Sequence, residues 1–220
     1  MPRQGYSGAR PDVLRLIPQQ PRRILDVGCG AGGVGAEIRQ RHPLARITGL
    51  ERDPALRRVA AQHYDHVLDL DLDAPGTITP ELGTFDLIIV ADVLEHLRDP
   101  ARVLGDLTGL LENNGWVVTS LPNVRHYSTL CALLFHGRWP RRDRGIHDRT
   151  HLHYYTRADI LDLLHGAGLD PVREARNLRL IERWSWTNPP ARLFDFWPLR
   201  PFLTFQYLHA SQLRDARSAA

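Results

Sequence analysis

Lysine is missing from this chain: all 28 basic side chains among its 220 residues are arginine. Set against 25 acidic residues they leave a formal net charge of only +3, too small an excess for a chain held to nucleic acid by bulk charge. The arginine bias reads as composition, except where arginines cluster locally. Cysteine is nearly absent, with Cys29 and Cys131 far apart, which excludes a disulfide framework. No apolar run reaches the ~18 residues of a membrane span. The opening Met1-Pro2-Arg3-Gln4-Gly5 carries no apolar signal segment, so the expected location is the cytoplasm. No internal repeat is present.

What remains is ordinary globular material, 43% hydrophobic and 24% charged. A chain of this length forms one domain that buries about 70% of its unfolded surface. Apolar segments alternate with helix-like ones. Strands are expected at Arg23–Val27, Arg46–Leu50, His66–Leu70, Phe85–Ala91 and Trp116–Leu121. Helices are expected at Pro11–Leu16, Val34–Arg41, Pro54–His63 and Pro100–Leu111. The unbroken Leu87-Ile88-Ile89-Val90 run is typical of a strand buried on both faces. This alternation implies an α/β fold with a mostly parallel, doubly wound sheet. The rhythm breaks after Pro122, where a substrate-side insertion or lid over about 122–156 carries one short apolar helix, Tyr127–Phe135. It resumes with helix Arg157–Ala167 and strand Asp170–Ala175, and an edge strand is expected at Phe202–His209.

The most telling segment is Ile24-Leu25-Asp26-Val27-Gly28-Cys29-Gly30-Ala31-Gly32-Gly33. Glycines at this spacing let the backbone turn sharply and present N–H groups to a ligand at a helix N-terminus. Glu51 ends the second strand, where a carboxylate accepts both hydroxyls of a ribose. Both hydride transfer and methyl transfer use such a grip. The strand-four string Phe85-Asp86-Leu87-Ile88-Ile89-Val90-Ala91-Asp92-Val93-Leu94-Glu95-His96-Leu97 separates them. With it, residues 1 to about 121 resemble the class I S-adenosylmethionine (SAM)-dependent methyltransferases. The resemblance implies a Rossmann-like seven-stranded sheet, mostly parallel with one antiparallel edge strand, and helices on both faces. It implies SAM as cofactor, held by Asp26, Gly28, Cys29, Gly30, Glu51 and Asp92. An acid near the adenine amino group falls on Asp69 or Asp71, and the sequence does not fix which. Tyr6 and Arg10 lie in a lead-in that folds over the cofactor in related enzymes. The second half, with Leu121-Pro122-Asn123, Gly137-Arg138-Trp139 and Asp148-Arg149-Thr150-His151-Leu152-His153-Tyr154-Tyr155-Thr156, looks like a bacterial subgroup associated with glycan and surface-polysaccharide biosynthesis.

A hydroxyl acceptor needs a base, because SAM already supplies an activated methyl. Open α/β sheets place ligands at the carboxyl ends of their strands, so candidates lie after Ala91 and after Leu121. Asp92, Glu95 and His96 share a face if their segment is helical. They could then hold a divalent cation, as a Glu-x-x-Glu-His pattern does in some ubiquinone-pathway O-methyltransferases that this chain resembles here; a metal is not the favoured reading. Asp92 and His96 are also candidates for the base, as are His126, just past Pro122, and His151. The His147, Asp148, His151, His153 group lacks the cysteines of a structural zinc site.

Arg138, Arg141, Arg142, Arg144 and Arg149 surround Trp139. Arginine forks match phosphate or carboxylate, and an indole stacks on a sugar, so Arg138, Trp139 and Arg149 are candidates for binding an anionic acceptor. The stretch Trp184–Tyr207 suits a cap on the core, a homodimer surface or a membrane-facing patch. The resulting expectation is O-methylation of a sugar or other small polar acceptor, including a glycan. A phenol, quinone-precursor or natural-product methyltransferase is the alternative, and a non-catalytic SAM-binding scaffold is the rival from another class. A nucleic-acid substrate is disfavoured, since no appended RNA-binding module and no Asn-Pro-Pro-Tyr-type motif after strand four is present.

Overall fold

The computed structural model describes residues 8–18, 20–180 and 195–214. Seven strands form one sheet in the order β3-β2-β1-β4-β5-β7-β6. These are β1 (Arg23–Val27), β2 (Arg46–Leu50), β3 (His66–Leu68), β4 (Phe85–Ala91), β5 (Leu111–Pro122), β6 (Leu169–Leu178) and β7 (Thr204–Leu213). The first five pair in parallel, and β7 runs antiparallel to both β5 and β6. The strand order reverses at β1, with β2 and β3 laid down on one side and β4 and β5 on the other. That crossover opens a crevice at the carboxyl ends, where such folds bind ligands.

The described helices are α1 (Pro11–Leu14), α2 (Gly33–Arg41), α3 (Pro54–Ala60), α4 (Pro100–Thr108), α5 (Tyr127–His136), α6 (Arg157–Gly166) and a single turn, α7 (Arg200–Leu203). Local chemistry sets their starts. Asp53 accepts from the N–H groups of Ala55 and Leu56 at the head of α3, and Asp99 caps α4. Thr156 and Asp159 form a reciprocal capping box on α6. The central strands are dry. Leu87, Ile88, Ile89 and Val90 are fully buried, their side chains alternating between two apolar clusters, one on each face of the sheet. Burial of each contributes about 1.5–3 kcal/mol.

The structure departs from the sequence expectations at several places. β5 begins at Leu111, inside the expected helix Pro100–Leu111, because Leu111 pairs with Phe85 before the chain loops out over Glu112–Gly115 and rejoins β4 at Leu87–Trp116. β7 is not the edge strand: β6 covers its outer side through ten residues, Leu169–Leu178, four longer than the expected Asp170–Ala175. Both edges of β7 are therefore paired, and Thr204–Ser211 is buried throughout. Strand β3 stops at Leu68, and helix α3 at Ala60.

Candidate active site

The glycine loop leaves β1 and enters α2 through three residues with positive φ, Gly28 (69°), Gly30 (57°) and Gly32 (85°). These are conformations that L side chains rarely adopt. Space also excludes side chains here: a Cβ on Gly28 would lie 2.6 Å from Val93 Cγ2, and one on Gly32 2.9 Å from the Ala60 backbone. The Cys29 N–H donates to the Leu50 carbonyl at 3.0 Å, which ties the loop to β2. The Cys29 thiol is buried beneath Gly49, and burial raises its pKa, so this residue shapes the loop with its backbone. Glu51 stands beside the loop, one oxygen accepting from the Gly30 N–H at 3.0 Å and the other from the Asp53 N–H at 2.8 Å. Each oxygen keeps a second lone pair for a ribose hydroxyl.

Asp26 is buried below this loop, and the Tyr64 hydroxyl donates to it. The same hydroxyl accepts the Gly35 N–H at 3.0 Å, so one phenol joins β1 to the first turn of α2. The Tyr64 ring fills the space left by the missing side chains of Gly32, Gly35 and Gly49. Burial pushes the Asp26 carboxyl up to about 7, against the hydrogen bond from Tyr64 and the charge of Arg10. Sequence reasoning missed Tyr64; its only signal is that three glycines in separate segments need one large residue to pack against. The two candidate adenine acids lie just past β3. Asp69 is largely exposed and paired with Arg57 at 2.7 Å, while Asp71 caps the turn at Asp73 and meets Arg52 at 3.1 Å.

Asp92 follows β4 with φ of 57° and its carboxylate buried. Arg10 forms an ion pair with it, and the Gln206 amide donates to it at 2.7 Å. Arg10 also reaches Asp12 and Ser120, and Asn177 donates to Asp12 at 2.7 Å. Burial raises the Asp92 pKa and Arg10 opposes the rise. The lead-in is thus tied to the ends of β4, β5 and β7 through one polar network. Tyr6 lies outside the described residues.

The segment after Asp92 is a single 3-10 turn, Leu94–His96, rather than an α-helix, so Asp92 does not share a face with Glu95 and His96. His151 takes that place: one ligand-type atom from each of Glu95, His96 and His151 lies within 4.8 Å of the other two. The Glu95 carbonyl accepts the N–H groups of Leu152 and His153, which fixes the 150–153 segment over the end of β4. Glu95 Oε1 lies 3.8 Å from His151 Nε2, and Glu95 Oε2 is buried without a hydrogen-bond partner. Burial, reinforced by the charge of Asp92, holds the Glu95 pKa well above the carboxylate range. Burial and the neighbouring His96 lower His151 to about 4, leaving it neutral.

His126 is buried at the N-cap of α5. Its Nδ1 accepts the Ser128 N–H at 3.3 Å, so Nε2 carries the proton and donates to the Arg179 carbonyl at 2.9 Å. That arrangement leaves no lone pair for a base. Arg138 is exposed just beyond α5, and Arg149 pairs in solvent with Asp143 at 2.7 Å. Trp139 packs edge-on against Tyr154 at 4.6 Å, and Tyr154 in turn against His151 at 6.2 Å, so the indole is linked to the histidine cluster through one ring. Beside α5 opens an apolar cavity of about 410 Å³, walled by residues such as Tyr127, Leu130, Cys131, Leu134 and Phe202. Among the described residues no helix is long and apolar enough to cross a membrane.

Comparison with known proteins agrees with this geometry. A family model described as a methyltransferase domain matches residues 2–175. A ubiquinone biosynthesis O-methyltransferase of Cereibacter sphaeroides is 30% identical over 80% of this chain and 71% of its own length. A trans-aconitate 2-methyltransferase of Methylobacterium radiotolerans is 35% identical over 51% of this chain and 43% of its own. Among solved structures, a SAM-dependent methyltransferase from Archaeoglobus fulgidus superposes with a TM-score of 0.62 at 15% identity, covering 92% of this chain and 90% of that one.

Proposed function

The chain belongs to the methyltransferase-domain family and is a SAM-dependent methyltransferase, and from that premise we propose that it methylates the oxygen of a hydroxyl on a small polar acceptor. The residues present fit the cofactor: Gly28, Gly30 and Gly32 open a cradle that side chains would fill, and Glu51 stands at its ribose end. Bound there, SAM supplies an activated methyl on its sulfonium. The chain's own task is to align an acceptor oxygen with that methyl and to remove its proton.

The observation that carries the reading is the cluster of Glu95, His96 and His151 above the carboxyl end of β4. It converges lone-pair groups on the side of the crevice where the methyl is delivered. His126 and Asp92 are committed to other partners, so this cluster is where the hydroxyl loses its proton. It can do so by an imidazole acting as base or by the groups jointly holding a cation. A sugar-like acceptor with an anionic group, such as a glycan precursor, suits the exposed arginines around Trp139. A phenol or quinone precursor is the second reading, supported by the apolar cavity beside α5 and by the ubiquinone-pathway relative.

The test is formation of S-adenosylhomocysteine by the purified protein across matched panels of anionic sugars and catechol-type phenols. Turnover on the sugars with the methyl recovered on oxygen is the expected result. Turnover confined to phenols selects the second reading, and methylation at nitrogen or carbon alone refutes both.

A further inference from the structure

The hydrogen bonds around the Glu95–His96–His151 cluster assign its protons. The Thr150 carbonyl, 3.3 Å from His96 Nδ1, can only accept, so His96 carries its proton on Nδ1 and a lone pair on Nε2. The Thr150 hydroxyl oxygen accepts from the same N–H at 3.0 Å, because its own proton goes to Asp148 Oδ1 at 2.6 Å. Asp148 also accepts the Thr150 N–H at 2.8 Å. Burial raises the Asp148 pKa, but the bonds from Thr150 and the two nearby imidazoles outweigh it and hold the carboxyl low, as an anion. A carboxylate, a hydroxyl and an imidazole therefore stand in line behind one nitrogen, and no described residue hydrogen-bonds that Nε2. His151 is placed differently. Its Nδ1–H donates to the Ile146 carbonyl at 3.0 Å, and its Nε2 lies 3.8 Å from Glu95, whose carboxyl burial keeps protonated. The lone pair of His151 thus faces a proton donor inside the cluster. His151 is buried, whereas His96 is half-buried.

We propose that His96 Nε2 is the base that takes the acceptor's proton, and that Thr150 and Asp148 are the positioning residues that equip it for that role. The proposal rests on the O-methylation reading. As the acceptor O–H bond breaks, its proton passes to His96 Nε2, the oxygen takes the methyl group, and S-adenosylhomocysteine is left. The imidazolium so formed still donates from Nδ1 to Thr150, whose hydroxyl is polarised by Asp148. Its positive charge therefore meets the anion through a single oxygen. A base held in one tautomer by a third group is the arrangement that such proton transfers require. The other groups facing His96 do not replace Asp148. Glu95 is neutral, Asp92 is held by Arg10 and Gln206, and His151, lowered to about 4 by burial and by His96, is neutral as well. His151 packs edge-on against His96 at 4.6 Å, so it braces the ring, and its removal also releases the base.

The tautomer is read first, without turnover. Two-bond ¹H–¹⁵N spectra of the full-length protein carrying ¹⁵N-histidine, with His96 identified by its absence in His96→Gln, should show a protonated Nδ1 and a bare Nε2. Thr150→Val should let the ring populate the other tautomer, and Thr150→Ser should not. Turnover is then measured on an acceptor the wild type methylates. His96→Gln should lower kcat at least about 100-fold, and Thr150→Val at least about 10-fold, within the ~10²–10⁴ that a positioned base contributes. KM and S-adenosylhomocysteine affinity should stay within about twofold, and Thr150→Ser should restore the rate. If Thr150→Val no longer binds S-adenosylhomocysteine and so has lost its fold, Asp148→Asn carries the test with the same expected loss. A wild-type His96 protonated on Nε2, full kcat in His96→Gln, or a Thr150→Val loss that falls on KM alone or that serine does not restore overturns the proposal. So does turnover that a chelator abolishes and a divalent ion restores. Methylation at nitrogen or carbon alone fails the O-methylation reading and the base with it, while the tautomer result still answers for Thr150.

Discussion

Replacing Tyr64 with phenylalanine isolates one hydroxyl that joins β1 to α2 beneath the cofactor loop. The ring stays packed against Gly32, Gly35 and Gly49, so no cavity opens. What is lost is a donor to the buried Asp26 carboxyl and an acceptor for the Gly35 N–H. Leaving a buried polar group unpaired costs about 1–3 kcal/mol, so two such groups cost roughly 2–6 kcal/mol. For a domain of this size that is a fall in Tm of roughly 5–15 °C. The loss should also depend on pH. Asp26 sits at about 7 in the folded protein, above the ~3.9 of an unfolded aspartate. Its contribution to stability is therefore fully present below the unfolded value and is lost as pH rises through about 7. Removing the Tyr64 hydrogen bond moves the folded value higher still, so the variant loses further stability above neutrality. Urea denaturation of both proteins at pH 5.5 and pH 8.5 measures this, with the larger penalty expected at pH 8.5. No penalty, or one equal at the two pH values, refutes the role assigned to this hydroxyl.

Gly28→Ala places a methyl 2.6 Å from Val93 Cγ2 at a φ of 69°, and SAM affinity by calorimetry should fall at least about 10-fold; unchanged affinity sinks the cofactor assignment. Burial raises the Glu174 carboxyl, but hydrogen bonds from His209 and Arg157 outweigh it and hold the folded value at about 2. Its stabilisation is present above the unfolded value of ~4.3 and is lost as pH falls toward 2, so Glu174→Gln should flatten acid denaturation across that window. Retention of the wild-type acid slope would count against it. His126→Ala removes the N-cap of α5, which costs about 1–2 kcal/mol. The pH profile of kcat should not move, and a lost basic limb would restore His126 as a base.

The fold was legible because its signals are local. The apolar run of β4, the glycine loop after β1 and the proline and aspartate starts of α3 and α4 each act within a few residues. Errors arose where long-range pairing decides. Leu111 joins β5 only because Phe85 is opposite it, and β7 lies inside the sheet only because β6 folds back along it. The site shows the same division. Gly28, Gly30 and Glu51 were visible from spacing, since one loop and one strand end place them together. His151 joins Glu95 and His96 across more than fifty residues, through backbone bonds to the Glu95 carbonyl that no spacing reveals. Asp92 and His126 had the right residue types in the right places, and Arg10 and the α5 cap claim them. Tyr64 had no motif, because its role depends on three glycines from separate segments.

The central claim is that methyl transfer occurs at the Glu95–His96–His151 cluster while SAM is held elsewhere, by the glycine loop and Glu51. The direct measurement is turnover and S-adenosylhomocysteine affinity in His151→Ala, with the wild-type protein alongside. Turnover should fall at least about 100-fold, the scale on which a positioned proton acceptor contributes, while cofactor affinity stays within about twofold of wild type. Undiminished turnover, or a loss of cofactor binding that parallels the loss of turnover, would contradict the account.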